Sequence, residues 1–280
     1  MSASNLISAT ELLEQLGRPD LRVVDARFEL MEPDFGARAY AAGHVPGAVH
    51  LDLDKDLSSV PAAHGGRHPL PNMERFAARL GELGIGTRDP VVVYDQSGLM
   101  YAARAWWLLR YAGHRHVRFL DGGLAAYLEA GGELTTNAPT PQATTFELDL
   151  QEHMVVQAEH VAASAGRPDV LVLDARAGER YRGEVEPLDP KAGHIPGARN
   201  RFYQDALAGG RFRPRAQLQQ FVAPAAEAQE VIAYCGSGVS AAHLLLTLEE
   251  AGVTGAKLYA GSWSDRSSYD HLPVATAEEG

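Results

Sequence analysis

Apolar residues gather in short runs of strand length, each followed by a helical pattern. Val91 to Tyr94 and Val231 to Tyr234 are unbroken apolar runs. Each leads through a small-residue loop into a periodic segment, Ala102 to Tyr111 and Ala241 to Ala251. Continuous apolar runs of this length predict strands covered on both faces. Near the start, Ser8 and Glu11 form a capping-box signature ahead of Leu12, Leu13 and Leu16, and a short strand is predicted over Leu21 to Val24. Short buried strands alternating with helices predict an α/β fold, a mostly parallel sheet flanked by helices.

The plan occurs twice. Leu21-Arg-Val-Val-Asp-Ala-Arg27 answers Val170-Leu-Val-Leu-Asp-Ala-Arg176, and Ala42-Gly-His-Val-Pro-Gly-Ala48 answers Ala192-Gly-His-Ile-Pro-Gly-Ala198. The offsets are 174 − 25 = 149 and 194 − 44 = 150. Further on, Val91-Val-Val-Tyr-Asp95 aligns with Val231-Ile-Ala-Tyr-Cys235, and Phe119-Leu-Asp-Gly-Gly123 with Leu258-Tyr-Ala-Gly-Ser262. Steady offsets across four blocks define tandem domains. The Thr- and Pro-rich stretch 133–145 reads as a linker with a boundary near residue 140, giving domains at 1–138 and 146–280.

Composition narrows the function. A length of 280 residues suits about two domains. Lys plus Arg is 25 and Asp plus Glu is 36, a net charge of 25 − 36 = −11. That balance argues against a nucleic-acid or anionic-membrane binder, so an anionic ligand would need a local basic pocket. No run approaches the roughly 18 apolar residues of a membrane span, and the start lacks a basic region followed by an apolar one. A cytoplasmic location is expected. The single cysteine, Cys235, excludes an intramolecular disulfide and a Cys-rich metal site, and no motif implies a metal or organic cofactor.

The two copies disagree at one informative place. The second runs Cys235-Gly-Ser-Gly-Val-Ser240, whereas the first runs Asp95-Gln-Ser-Gly-Leu-Met100. A strand entering a Gly-rich turn before a helix N-terminus should converge backbone N–H groups on one point and stabilise a thiolate there. Gly236 and Gly238 would supply the positive φ values of such a turn. A Cys-x5-Arg oxyanion clamp is absent because Ala241 stands six residues on. His243 falls on the predicted helix rather than beside the thiol. Core filler or working nucleophile are the two readings of Cys235, and the strand-loop-helix setting favours the nucleophile.

These residues together resemble the two-domain rhodanese superfamily, the thiosulfate and 3-mercaptopyruvate sulfurtransferases. The resemblance runs from Val23-Val-Asp-Ala-Arg27 through Gly43-His-Val-Pro-Gly47, Gly66-Arg-His-Pro-Leu-Pro71 and Gly193-His-Ile-Pro-Gly197 to Gly261-Ser-Trp-Ser264. It implies two tandem rhodanese-like domains, the first inert with Asp95 at the cysteine position, the second catalytic. The implied reaction is ping-pong: Cys235 takes sulfur from a small anionic donor, becomes a persulfide, and passes the outer sulfur to cyanide or a thiol or thioredoxin-like acceptor.

Cys-Gly-Ser-Gly-Val-Ser resembles the mercaptopyruvate form of the loop, with Val239 and Ser240 completing it and the Ser240 hydroxyl placed to cap the helix. Thiosulfate enzymes typically carry basic residues where this chain has Gly236 and Ser237. The mercaptopyruvate form also implies a Ser237, His68 and Asp54 relay, Arg180 on the donor carboxylate, and Phe28 lining the site. Where that form usually has a second arginine, nine residues after Arg180, this chain has Asp189. Arg182 or Lys191 are the expected substitutes, with a solvated loop as their alternative. A thiosulfate-preferring enzyme and a non-catalytic sulfur carrier are the competing readings.

Overall fold

The computed structural model describes residues 4–96, 99–164 and 166–277; Ser97 and Gly98, of the sequence Asp95-Gln-Ser-Gly-Leu-Met100, lie outside the described residues. The chain divides into two compact units, Met1–Ser59 with Leu70–Gln151, and Val60–Pro69 with Glu152–Gly280. The sequence division at 138 and 146 lacks this excursion of residues 60–69.

The first unit carries strands β1 (Leu6–Ile7), β2 (Arg22–Asp25), β3 (Ala48–His50), β4 (Val91–Tyr94) and β5 (Val117–Leu120). Its helices are α1 (Ala9–Gln15), α2 (Phe35–Ala42), α3 (Met73–Glu82), α4 (Met100–Tyr111) and α5 (Gly123–Glu129). The strands pair in the order β1-β5-β4-β2-β3, all parallel. Every residue of β4 is buried, as its run of Val and Tyr requires of a strand covered on both faces. Half of the expected capping box forms: Ser8 Oγ accepts the Glu11 N–H at 3.1 Å, but the Glu11 carboxylate accepts from Gln15 instead.

The Thr- and Pro-rich stretch has no helix or paired strand over 136–149, yet it is fastened to the first unit. Thr135 bridges His44, the Thr144 N–H donates to Gly81 O at 2.9 Å, and the Asp149 N–H to Ala112 O at 3.1 Å. Phe146 is buried against His114, ring centroids 6.0 Å apart. Its prolines remove N–H donors without preventing this docking.

The second unit repeats the arrangement with β6 (Val155–Val156), β7 (Val170–Asp174), β8 (Arg199–Asn200), a short antiparallel hairpin β9 (Leu207–Ala208) and β10 (Arg211–Phe212), β11 (Glu230–Tyr234) and β12 (Lys257–Tyr259). The main sheet is parallel in the order β6-β12-β11-β7-β8. Its helices are α6 (Ala158–Ser164), α7 (Gly178–Tyr181), α8 (Arg215–Phe221), α9 (Ser240–Ala251) and α10 (Ser262–Arg266).

The repeated sequence blocks prove to be structural fasteners. His44 and His194 are fully buried, stacked on Tyr40 and Tyr181 at 4.0 and 3.8 Å, with Nδ1 on the Tyr40 and Tyr181 carbonyls at 2.8 and 2.7 Å. Asp25 and Asp174 each pair with the arginine two residues on, at 2.6 Å. Both arginines also donate to a glycine carbonyl, Gly43 O and Gly193 O, at 2.7 Å. Buried charges of this kind persist only when nearly every donor is satisfied.

Candidate active site

Cys235 follows β11 directly and sits 2 % exposed in the turn before α9. Its Sγ accepts the Gly238 N–H at 3.1 Å. Among the described residues this is one amide rather than the several expected to converge. Gly238 has φ +79, and a Cβ there would stand 2.4 Å from Ala260 O, so the turn requires glycine at this position. Gly236 departs from the expectation, because its φ is not positive. Ser240 departs as well: it opens α9, Val239 holds the cap position, and no side-chain cap bond forms. His243 is fully buried in α9, stacked on Phe212 at 4.8 Å, and burial pushes it down to about 3.

The first unit shows what this strand-loop-helix geometry holds. Asp95 occupies the place of Cys235, and its Oδ2 accepts the N–H groups of Tyr101 and Ala102, each at 3.0 Å, at the start of α4. A helix N-terminus thus receives a built-in carboxyl group there. In the second unit the same place is given to a sulfur atom.

The segment Gly261-Ser-Trp-Ser264 fixes the cysteine loop from behind. Ser262 Oγ accepts the Cys235 N–H at 3.1 Å, while the Trp263 and Ser264 N–H groups donate to Cys235 O and Gly236 O at 2.9 and 2.8 Å. Ser262 adopts φ +57, a conformation costly for a residue with a side chain and tolerated where surrounding bonds over-determine it. The same segment captures residues 64–68. Ser264 Oγ accepts the Arg67 N–H at 2.7 Å, and Asp265 Oδ1 accepts the Gly65 N–H at 2.7 Å. Gly66, at φ +84, passes so close that a Cβ would stand 2.4 Å from Gly261 O.

That capture delivers two side chains to the loop. His68 Nδ1 and Ser237 Oγ share a hydrogen bond of 2.7 Å, both residues buried. Arg67 reaches Gly236, where it meets Arg180 from α7. A methyl group on Gly236 would stand 3.1 Å from Arg67 Nη2 and 3.4 Å from Arg180 Nη1. Room for two guanidinium groups, rather than a special φ, explains this glycine.

Acidic residues hold the arginines from the other side. Glu186 accepts from Arg180 Nη2 at 2.6 Å and Nε at 3.2 Å. Asp189 accepts from Arg67 Nη1 and lies 3.4 Å from Arg180 Nη2. The remaining nitrogens, Arg67 Nη2 and Arg180 Nη1, form no hydrogen bond among the described residues. Arg67 Nε is buried and unpartnered there.

Other expected residues have different surroundings. The Arg182 guanidinium is taken by Glu184 at 2.7 Å and Lys191 by the Tyr269 carbonyl at 2.8 Å, so the second arginine near Gly236 is Arg67. Its signal was present in Gly66-Arg-His-Pro, beside His68. Phe28 and Asp54 belong to the first unit. Phe28 is buried edge-on to Tyr101 at 5.4 Å. The Asp54 N–H donates to Asp52 Oδ1 at 2.9 Å, and burial and Asp52 together push the Asp54 carboxyl upward.

The rhodanese-like domain matches residues 8–130 and again 157–268. The chain belongs to the rhodanese-like family. It is 44 % identical to a Pseudomonas aeruginosa protein named "Probable 3-mercaptopyruvate sulfurtransferase", over 99 % of this chain and 100 % of that one. It is 43 % identical to Mycobacterium tuberculosis SseB, which carries a provisional thiosulfate sulfurtransferase name, over 96 % of each. The crystal structure of SseA from Escherichia coli, a 3-mercaptopyruvate sulfurtransferase, superposes with a TM-score of 0.83 at 32 % identity, covering 94 % of this chain and 100 % of that one. Like these rhodanese-like relatives, the chain is a sulfurtransferase. Among the described residues, no helix is long and apolar enough to cross a membrane.

Proposed function

We propose that this sulfurtransferase takes sulfur from 3-mercaptopyruvate through a persulfide on Cys235. The observation that carries the donor assignment is the pair of unengaged nitrogens, Arg67 Nη2 and Arg180 Nη1, at Gly236, the residue that follows Cys235. Two guanidinium donors side by side match the two oxygens of one carboxylate. Ser237, bonded to His68, supplies a hydroxyl for the ketone oxygen of the donor. Asp54 enters as the third relay member that the family resemblance implies.

The Cys235 thiolate attacks the donor sulfur. An S–S bond forms, the C–S bond breaks, and its electron pair leaves on carbon as the enolate of pyruvate, which takes up the thiol proton. Cyanide then attacks the outer sulfur, forming thiocyanate and returning the Cys235 thiolate; a thiol or thioredoxin-like acceptor would take the same sulfur. We place the enzyme in the cytoplasm, where a working thiol stays reduced.

The test is thiocyanate release from cyanide with each donor, and intact mass after donor treatment. Mercaptopyruvate should exceed thiosulfate in kcat/KM, and the wild-type chain should gain the mass of one sulfur atom. C235S should lose both. Thiosulfate outperforming mercaptopyruvate overturns the donor, and turnover by C235S overturns the nucleophile.

A further inference from the structure

We propose that Asp189 selects the charge of the sulfur donor, giving the arginine pair a carboxylate of its own so that the site accepts a monoanion and discriminates against a dianion. The inference rests on the reading of Arg67 and Arg180 as the donor site. Asp189 has a side chain only 2 % exposed, and it contacts both guanidinium groups, Arg67 at Nη1 and Arg180 at Nη2. Asp189 holds Arg67 at Nη1 and joins Glu186 in holding Arg180 at Nη2 and Nε, leaving Arg67 Nη2 and Arg180 Nη1 facing Gly236.

The charges around the site cancel. Arg67 and Arg180 contribute two positive charges, and Asp189 and Glu186 two negative ones; behind them, Arg176 pairs with Asp174 at 2.6 Å and Glu186 at 3.2 Å. A mercaptopyruvate carboxylate brings one negative charge and two oxygens, which the two unengaged nitrogens satisfy. Thiosulfate brings a second charge into a half-buried setting that contains a fixed carboxylate, where effective dielectric is low and unit charges a few ångströms apart interact strongly. The adjoining loop offers no compensation, since Gly236 and Ser237 carry no charge. Neutralising residue 189 leaves one net positive charge and removes the repulsion.

The full-length chain is assayed for thiocyanate release with mercaptopyruvate and with thiosulfate, as wild type, D189N, D189S and D189E. In D189N and D189S the kcat/KM ratio should move toward thiosulfate by at least about tenfold, while D189E should hold the wild-type ratio within about threefold. A ratio that stays put in the neutral variants overturns the proposal. So does equal loss of both donors in D189N and D189S, which would mark Asp189 as a scaffold for the loop. The shift is measured relative to wild type, whereas the donor assignment itself stands or falls on the wild-type preference, so the two failures are separable.

Discussion

Ser264 ties the backbone of Arg67 to the cysteine loop at Gly236. Its Oγ accepts the Arg67 N–H at 2.7 Å, and its own N–H donates to Gly236 O at 2.8 Å. Replacing it by alanine keeps the second bond and loses the first. A neutral hydrogen bond contributes about 1 kcal/mol net, or roughly a fivefold change. S264A should therefore raise KM for mercaptopyruvate about fivefold with kcat little changed, in a steady-state thiocyanate assay. An unchanged KM would show that Arg67 is positioned without this bond.

Gly236 and Gly238 lie two residues apart and should fail in different ways. Gly236 needs no special backbone, but a methyl there crowds Arg67 Nη2 at 3.1 Å and Arg180 Nη1 at 3.4 Å. G236A should raise KM at least about tenfold, the loss of a charged carboxylate contact, without moving Tm. Gly238 combines φ +79 with a backbone oxygen 2.4 Å from any Cβ, so G238A should cost about 2 kcal/mol or more and lower Tm. Paired melting curves and kinetics decide it. Identical behaviour of the two variants would defeat this division of roles.

What the sequence made legible were the features written locally or twice. Val91–Tyr94 and Val231–Tyr234 declare themselves as central strands because burial on both faces leaves no polar position. Cys235 against Asp95 is visible because flanking blocks match. His68 with Ser237 came through family resemblance, across 237 − 68 = 169 residues that no periodicity spans. Arg67 was missed for the same reason: only the fold brings residues 64–68 against Gly261–Asp265. The Thr- and Pro-rich stretch misled in another way, since composition reports what backbone a segment cannot form and says nothing of where its remaining carbonyls and amides dock.

Asp189 gives the donor preference a pH dependence. Burial, aided by Glu186, pushes its carboxyl up to about 6 against the opposing pull of Arg67, Arg180 and Arg176. Above this value it is ionised and the charges around the donor site cancel. Below it, protonation leaves the same net charge as D189N. The thiosulfate-to-mercaptopyruvate ratio of kcat/KM should rise as pH falls through about 6 in the wild type and remain flat in D189N. Taking the ratio at each pH removes the shared acceptor step, including cyanide protonation. A wild-type ratio without an inflection would contradict the assignment.

Asp95 should tie the stability of the first unit to pH. It is fully buried, and burial pushes its carboxyl up to about 7, outweighing the downward pull of the Ala102 and Tyr101 amides. Oδ1 has no partner among the described residues, so ionisation would leave a buried, charged oxygen unsatisfied. Below the unfolded value near 4, both states hold the proton and the full contribution to stability is present. Between about 4 and 7 the unfolded chain releases the proton while the folded chain retains it, so that contribution is lost as pH rises. Three pKa units set an upper bound of about 4 kcal/mol. An asparagine never ionises, and its amide at the Oδ1 position adds only a pH-independent cost. Urea unfolding should therefore show D95N gaining on the wild type from pH 4 to 7 and holding a constant difference above it. A difference that does not change with pH would mean that Asp95 is ionised in the folded protein throughout, held as a carboxylate by the α4 amides.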